Sequence, residues 1–406
     1  MPRLTPFHPR TSALSRSWAY KEWSGYVAPC NYDAHSEREY FAFRHSAGLI
    51  DVTPLYKYDL TGPDAGTLLS RVWAREAGAI GLGRVVYGTM CDAQGKALDD
   101  GTVARLRDRY RMTSSERWYG WMSRHARGLD VHIEDTTDRI AALALQGPRA
   151  RAILDPIVDL DLGRMRFFRV RRTKLDGLPV TISRTGYTGD LGYEVWCDNE
   201  HALAVWDAIV AAGSEHGLEP AGLDALDVAR LEAGFVLQGI DYISARRCSI
   251  ESRKSTPTEA GLGWTVDLDR APFIGQRALR AERRNGSTWA LVGLELSWTD
   301  LEQLYDEHGL PPHLAPVACR LAVPIYDRAG RKQVGQMTSS TWSPLLKKYI
   351  GIGQVYAPFG ATGTIVSVEH TVEFHRRRVR ARVVDRPFFD PDRKRSTTAQ
   401  AEAGAS

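Results

Sequence analysis

Three short stretches place chemistry-bearing residues on otherwise apolar patterns: KALDDGTVARL at 96–106, RTGYTGDLGYE at 184–194 and GLDALDVARLEAG at 222–234. Read as a strand, the first puts Leu98, Asp100, Thr102, Ala104 and Leu106 on one face. Asp100 then sits among apolar neighbours, where a carboxylate is unfavourable unless a cation or hydrogen-bond donors meet it. Either a bound ligand's amine or ring N–H fills that role, or a nearby arginine or a turn does. In the third stretch, Leu223, Leu226 and Arg230 fall within about 60° of one another on a helix, so the guanidinium points with the apolar stripe and is expected to be buried and paired. Its partner is the planar carboxylate or heterocycle edge of a ligand, or an internal acid, Asp227 or Glu232. In the second, glycines at 186, 189 and 192 allow sharp turns and close backbone approach. The strand that follows sends Leu191, Tyr193 and Val195 one way and Glu194 the other. Glu194 either accepts two hydrogen bonds from an amino-pyrimidine edge or is an exposed strand acid.

Other chemistries lack their residues. No GxGxxG opens a helix, no Lys-Ser/Thr follows a glycine pair, and neither a GxSxG elbow nor an HExxH pair occurs. Five cysteines, Cys30, Cys91, Cys197, Cys248 and Cys319, are odd in number and widely spaced, which argues against a disulfide framework and a zinc site and fits a cytoplasmic location. A net charge of +4 is too small to point to nucleic acid, and an acidic small molecule is the expected ligand. No apolar run approaches the roughly 20 residues that span a membrane, and the first residues lack the apolar centre of a secretory signal.

The elements that must position these residues are of mixed type. LYKYDL (55–60), KALDDGTVARL and YEVWC (193–197) alternate as strands, whereas HALAVWDAIVAAG (201–213) puts Leu203, Trp206, Ile209 and Val210 on one helical face ended by Gly213. The pattern is α+β. Residues 1–22, rich in Pro, Ser and Arg, are expected to be loosely ordered, and 23–288 to form a two-lobed ligand-binding region. The charged RAERRNGSTW (280–289), with its Asn-Gly turn signal, marks a boundary. Beyond it ALVGLEL, RLAVPIY, YIGIGQVY, GTIVSVE and VRARVV predict a small β-barrel over 289–390, followed by a disordered tail, 391–406.

The order of motifs resembles the glycine-cleavage T-protein, or aminomethyltransferase, superfamily. It is carried by FRHSAGLIDVT (43–53), VVYGTM (85–90), GKALDDGTV (95–103), LALQGPRA (143–150), the 184–194 and 222–234 segments, TPTEAGLGWTV (256–266) and SSTWSPLLKKYIGIGQV (339–355). The resemblance implies a three-lobed folate-binding fold around a central hole with a C-terminal β-barrel, and tetrahydrofolate as cofactor. It implies a catalytic role for Asp100, folate contacts from Tyr87, Tyr187, Glu194 and Arg230, and Trp264 and Arg376 lining the same hole. No metal is implied. The chain departs from the family where Asp51-Val52-Thr53-Pro54-Leu55 lacks a His, where Met112-Thr113-Ser114-Ser115 replaces a Val-Asn-Ala/Ser run, and in the longer, basic loop QGIDYISARRCSIESRKS. These changes lie on the substrate side. The activity implied is therefore a demethylase moving a methyl group from a small O-, N- or S-methylated compound to tetrahydrofolate. The alternatives are an aminomethyltransferase acting on a lipoylated carrier protein and a non-catalytic folate-binding protein. The last is disfavoured because GFVLQGIDYISARRC lacks the Lys-Gly-Cys-Tyr/Phe-x-Gly-Gln-Glu motif of that group.

Overall fold

The computed structural model describes residues 2–397 and divides into two compact units. One comprises Met1–Gly88, Asp100–Ala229 and Asp390–Ser406, the other Thr89–Asp99 and Arg230–Phe389.

The first unit is built on two antiparallel-dominated sheets. The larger runs in the order Val170–Leu175, Leu178–Ser183, Gly192–Asp198, Ile140–Gln146, Ala47–Asp51 and Leu218–Pro220, the last strand pairing parallel to its neighbour. Ile140–Gln146 (IAALALQ) is buried at every position because it lies mid-sheet with both faces covered. On one face Leu143, Leu145, Tyr193 and Val195 pack against Val205, Trp206 and Ile209 of the helix Ala202–Gly213. On the other, Ile50 and Ala144 meet Ala28, Leu223 and Leu226. That helix buries Ala202, Val205, Trp206, Ile209 and Gly213, so the expected Leu203 and Val210 sit at the margin of its apolar face. The α-helix ends at Gly213, as expected. A 3-10 turn, Ser214–His216, follows, and the chain reverses at Gly217 with φ +68°. The second sheet has the order Val85–Cys91, Ala97–Arg105, Tyr110–Ser114, Tyr56–Thr61 and His132–Asp135.

Residues 1–22, expected to be loosely ordered, include a helix, His8–Leu14, and a strand from Tyr20. The anchor is one aromatic: Phe7 is fully buried against Trp206, ring centroids 5.9 Å apart. Burial of such a side chain is worth about 1.5–3 kcal/mol. Arg10 adds two 2.7 Å bonds to Asp207. Pro/Ser/Arg composition hides one such residue.

In the second unit a closed barrel runs Trp289–Leu296, Lys348–Tyr356, Gln333–Ser343, Val323–Tyr326, Ile365–Val372 and His375–Val384, the last strand pairing back to the first. Alternation holds from Arg378 to Val383: Val379, Ala381 and Val383 face the core, whereas Arg378, Arg380 and Arg382 are exposed, and ahead of them His375, Arg376 and Arg377 are all exposed. Gln333–Ser343 was not expected as a strand. Its sequence, QVGQMTSSTWS, is mostly polar, yet Val334 and Met337 fill the barrel. The charged stretch expected as a boundary is largely the helix Gln276–Asn285, closed by Gly286 three residues before the barrel begins. Of the expected tail, residues 391–397 are described and contain a turn at Asp392–Lys394, and 398–406 lie outside the described residues.

Candidate active site

Glu194 lies on Gly192–Asp198 directly opposite Ala144, which in turn lies opposite Ile50, so its side chain shares the sheet face of the Ala28, Ile50, Leu223 and Leu226 cluster. Tyr187 packs against the same cluster. Glu194 Oε1 accepts from Thr185 Oγ1 at 2.9 Å, and the Thr185 and Ser183 hydroxyls meet at 2.8 Å. Burial pushes the Glu194 carboxyl upward, opposed by hydrogen bonds from Thr185 and Trp196 and by the charge of Lys57.

The glycine-rich segment before it is fixed by Gln146. This amide donates to Thr185 O at 3.2 Å and accepts from Thr188 Oγ1 at 2.9 Å. A Cβ at Gly186 or Gly192 would overlap the Gln146 side chain, which explains two of the motif's glycines by close approach. Arg44 donates to Thr188 O at 2.9 Å from the helix Glu37–His45.

Lys57 is a site residue that sequence reasoning missed. It is 2% exposed on Tyr56–Thr61, and its ammonium donates to Thr53 O and Leu55 O, each at 2.8 Å. It thus staples the Asp51–Leu55 turn. Burial lowers Lys57 to about 7 despite the opposing charges of Asp51, Glu194 and Asp135, and Arg111 lowers it further. Asp51 accepts from Thr5 Oγ1 at 2.5 Å and Thr53 N at 2.9 Å, and burial raises its carboxyl. The available signal was a lysine at an inward position of LYKYDL.

Asp100 is half-buried on Ala97–Arg105 and accepts from the Tyr87 hydroxyl at 2.6 Å. Gly101 stands opposite Ser114, and Ser114 opposite Tyr56, so Asp100 lies at the sheet end where the Thr53–Leu55 turn enters. Burial does not separate the two faces of this strand: Asp99, on the face opposite Asp100, is fully buried and belongs to the second unit.

Arg230, 1% exposed in the second unit, has a buried acid, Asp241, as a partner. It donates to Asp241 Oδ2 at 2.6 Å, Ser339 Oγ at 2.9 Å and Phe235 O at 3.2 Å. Asp241 also accepts from Leu237 N at 2.8 Å and from the Thr338 and Ser339 hydroxyls, each at 2.6 Å. Glu232, a candidate partner, accepts from Ser343 Oγ at 2.5 Å. A contact eleven residues away in a loop has no periodic signal. Trp264 is 64% exposed on Gly263–Thr265, and Arg376 is exposed on the barrel strand. The structure therefore joins Tyr87 to Asp100 and gathers Tyr187 and Glu194 on one sheet face, while Arg230, Trp264 and Arg376 belong to the other unit.

Among the described residues no three His, Cys, Asp or Glu side chains gather as a metal site. No described helix is long and apolar enough to cross a membrane.

The chain is similar to known proteins in sequence and in fold. Residues 10–270 match the GCVT N-terminal domain, and 309–390 match the glycine cleavage T-protein C-terminal barrel domain. The chain is 35% identical to the trimethylamine-oxide aldolase of Ruegeria pomeroyi over 97% of its own length, but spans only 48% of that protein. It is 33% identical to the aminomethyltransferase of Bacillus cytotoxicus, covering 91% of this chain and 93% of the relative. Its fold matches the glycine cleavage system aminomethyltransferase T of Bartonella henselae with a TM-score of 0.81, at 23% identity, over 98% and 100% of the two chains. An acid-bearing α+β unit followed by a closed six-stranded barrel, matched by both domain models, makes this chain a member of the glycine-cleavage T-protein family of folate-dependent enzymes.

Proposed function

We propose that this protein transfers a methyl group from a small O-, N- or S-methylated compound to tetrahydrofolate. The observation that carries the reading is the Tyr87–Asp100 pair: a half-buried carboxylate oriented by one phenol at 2.6 Å, at the sheet end beside the turn that lacks the family's imidazole. The similarity to a protein named for trimethylamine oxide, a small N-methylated compound, supports this donor class.

The residues around Glu194 fit a reduced pterin. A carboxylate held through Thr185 at one oxygen matches the two donors of an amino-pyrimidine edge, and Tyr187, Ile50, Leu223 and Leu226 supply apolar walls for a planar ring. When bound, tetrahydrofolate supplies the nitrogen that accepts the one-carbon unit. Asp100 supplies the counter-charge. A unit charge about 4 Å from positive charge developing in the transition state is worth about 4 kcal/mol at an effective dielectric of 20. Tyr87 keeps that carboxylate aimed, so little reorganisation accompanies the step. Arg230 is assigned to holding Asp241 and the Phe235 carbonyl of its own unit. Five free thiols fit a cytoplasmic setting.

A second reading, aminomethyl transfer from a lipoylated carrier, is favoured by the Bacillus aminomethyltransferases, which match nearly end to end. One experiment separates the two. The purified chain is incubated with tetrahydrofolate and, in turn, methylated amines and amine oxides, methyl ethers, methyl thioethers and an aminomethylated lipoyl carrier. Formation of 5-methyltetrahydrofolate from a small donor supports the proposal. Product only with the carrier, as the 5,10-methylene form with ammonia released, replaces it.

A further inference from the structure

The two ends of the Arg184–Asp190 segment are both held by the short stretch that follows the barrel. Arg184 is fully buried, donating Nη1 to Met165 O at 2.6 Å and Nη2 to the carbonyls of Arg393 (3.3 Å), Lys394 (3.2 Å) and Ser396 (2.7 Å). Asp190, whose side chain has no exposure, receives Arg393 in a two-point grip: Nε to Oδ1 and Nη2 to Oδ2, each at 2.7 Å. Arg44 stands 3.7 Å away on the same carboxylate. The stretch is itself stiffened. Asp392–Lys394 forms a 3-10 turn, and Asp390 pairs with Lys394 at 3.1 Å and Arg395 at 2.8 Å.

Between the anchors lie Thr185, Gly186, Tyr187, Thr188 and Gly189. Two of the five are glycines, which widens the conformations open to the segment; Gln146 and Arg44 hold Thr185 and Thr188 from the sheet side, and the strap holds the two ends. Thr185 aims Glu194, and Tyr187 lines the apolar cluster. We propose that residues 390–396 are a strap that selects the ligand-competent conformation of this segment, with Arg393 as a positioning residue acting through Asp190. A bidentate guanidinium–carboxylate pair fixes orientation as well as distance. Without it Asp190 keeps the neighbouring Leu191 N at 2.8 Å and the longer contact to Arg44, and the grip that ties this end of the segment to the strap is lost. That the segment meets a pterin rests on the reading above. That the strap orders it does not.

The test uses the full chain with Arg393→Ala and Arg393→Gln, the second keeping the stem and a donor should the first not fold. Backbone hydrogen exchange of residues 185–191 is measured without ligand, and tetrahydrofolate affinity by anaerobic calorimetry. Exchange at least tenfold faster in this segment, with barrel strands unchanged and affinity weakened about tenfold, supports the proposal. Exchange equal to wild type overturns it, as does faster exchange with unaltered affinity. If the wild-type chain does not bind tetrahydrofolate, the folate reading fails, and the exchange result alone decides the strap.

Discussion

Replacing Arg230 by alanine tests whether this guanidinium works for the fold. Asp241 is fully buried, and Arg230 is the cation within salt-bridge distance of it, at 2.6 Å. The substitution leaves the carboxylate with Leu237 N and the hydroxyls of Thr338 and Ser339, and leaves Phe235 O without its guanidinium donor. Breaking a buried ion pair from one side costs about 3–5 kcal/mol. For a body of this size each kcal/mol moves Tm by roughly 2–4 °C, so a drop on the order of 6–20 °C is expected. Asp241→Asn in the same background removes the stranded charge and should recover part of the loss, giving a double-mutant coupling well above the roughly 0.5 kcal/mol error of additivity. The assay is thermal and urea unfolding at pH 7, with calorimetry to check a two-state transition. A Tm within about 2 °C of wild type, or no recovery in the double variant, would refute the reasoning.

Asp100→Asn should abolish turnover while leaving tetrahydrofolate affinity within about threefold, since the amide keeps the shape and loses the charge; wild-type kcat would remove the catalytic assignment. Thr185→Val should weaken tetrahydrofolate binding by about 1–2 kcal/mol, because Glu194 loses its aiming hydroxyl, and calorimetry on the purified variant reads the change. Lys57 titrates lower in the folded chain than its ordinary 10.5, so the unfolded state binds the extra proton between pH 7 and 10.5 and this group's contribution to stability rises with pH across that window. Wild type should therefore gain on the order of 2 kcal/mol over Lys57→Met between pH 7 and 9. Parallel urea curves showing a constant difference would contradict a buried, shifted lysine.

Local chemistry was legible wherever a period or a glycine reported it. The inward face of Gly192–Asp198, the strand carrying Asp100 and most of the barrel followed from alternation, and burial of Arg230 followed from its place on the apolar stripe. What remained hidden depended on contacts that follow neither the helical nor the strand period. Asp241 lies in a loop eleven residues from Arg230, the carbonyls of Thr53 and Leu55 belong to the turn just before Lys57, and Phe7 meets Trp206 from the far end of the unit's sequence. The polar strand Gln333–Ser343 was missed for the converse reason: its neighbours in the barrel, rather than its own composition, hold it extended.

Gln146 ties three positions of the sequence into one unit of inheritance. Its amide fills the volume that Gly186 and Gly192 leave and spends both its ends on Thr185 and Thr188. A methyl at either glycine evicts the amide, and a smaller residue at 146 leaves an apolar void beside two stranded polar groups. Relatives of this chain should therefore keep or exchange all three together, and an isolated change at one of them marks a descendant in which this segment packs against the sheet in another way.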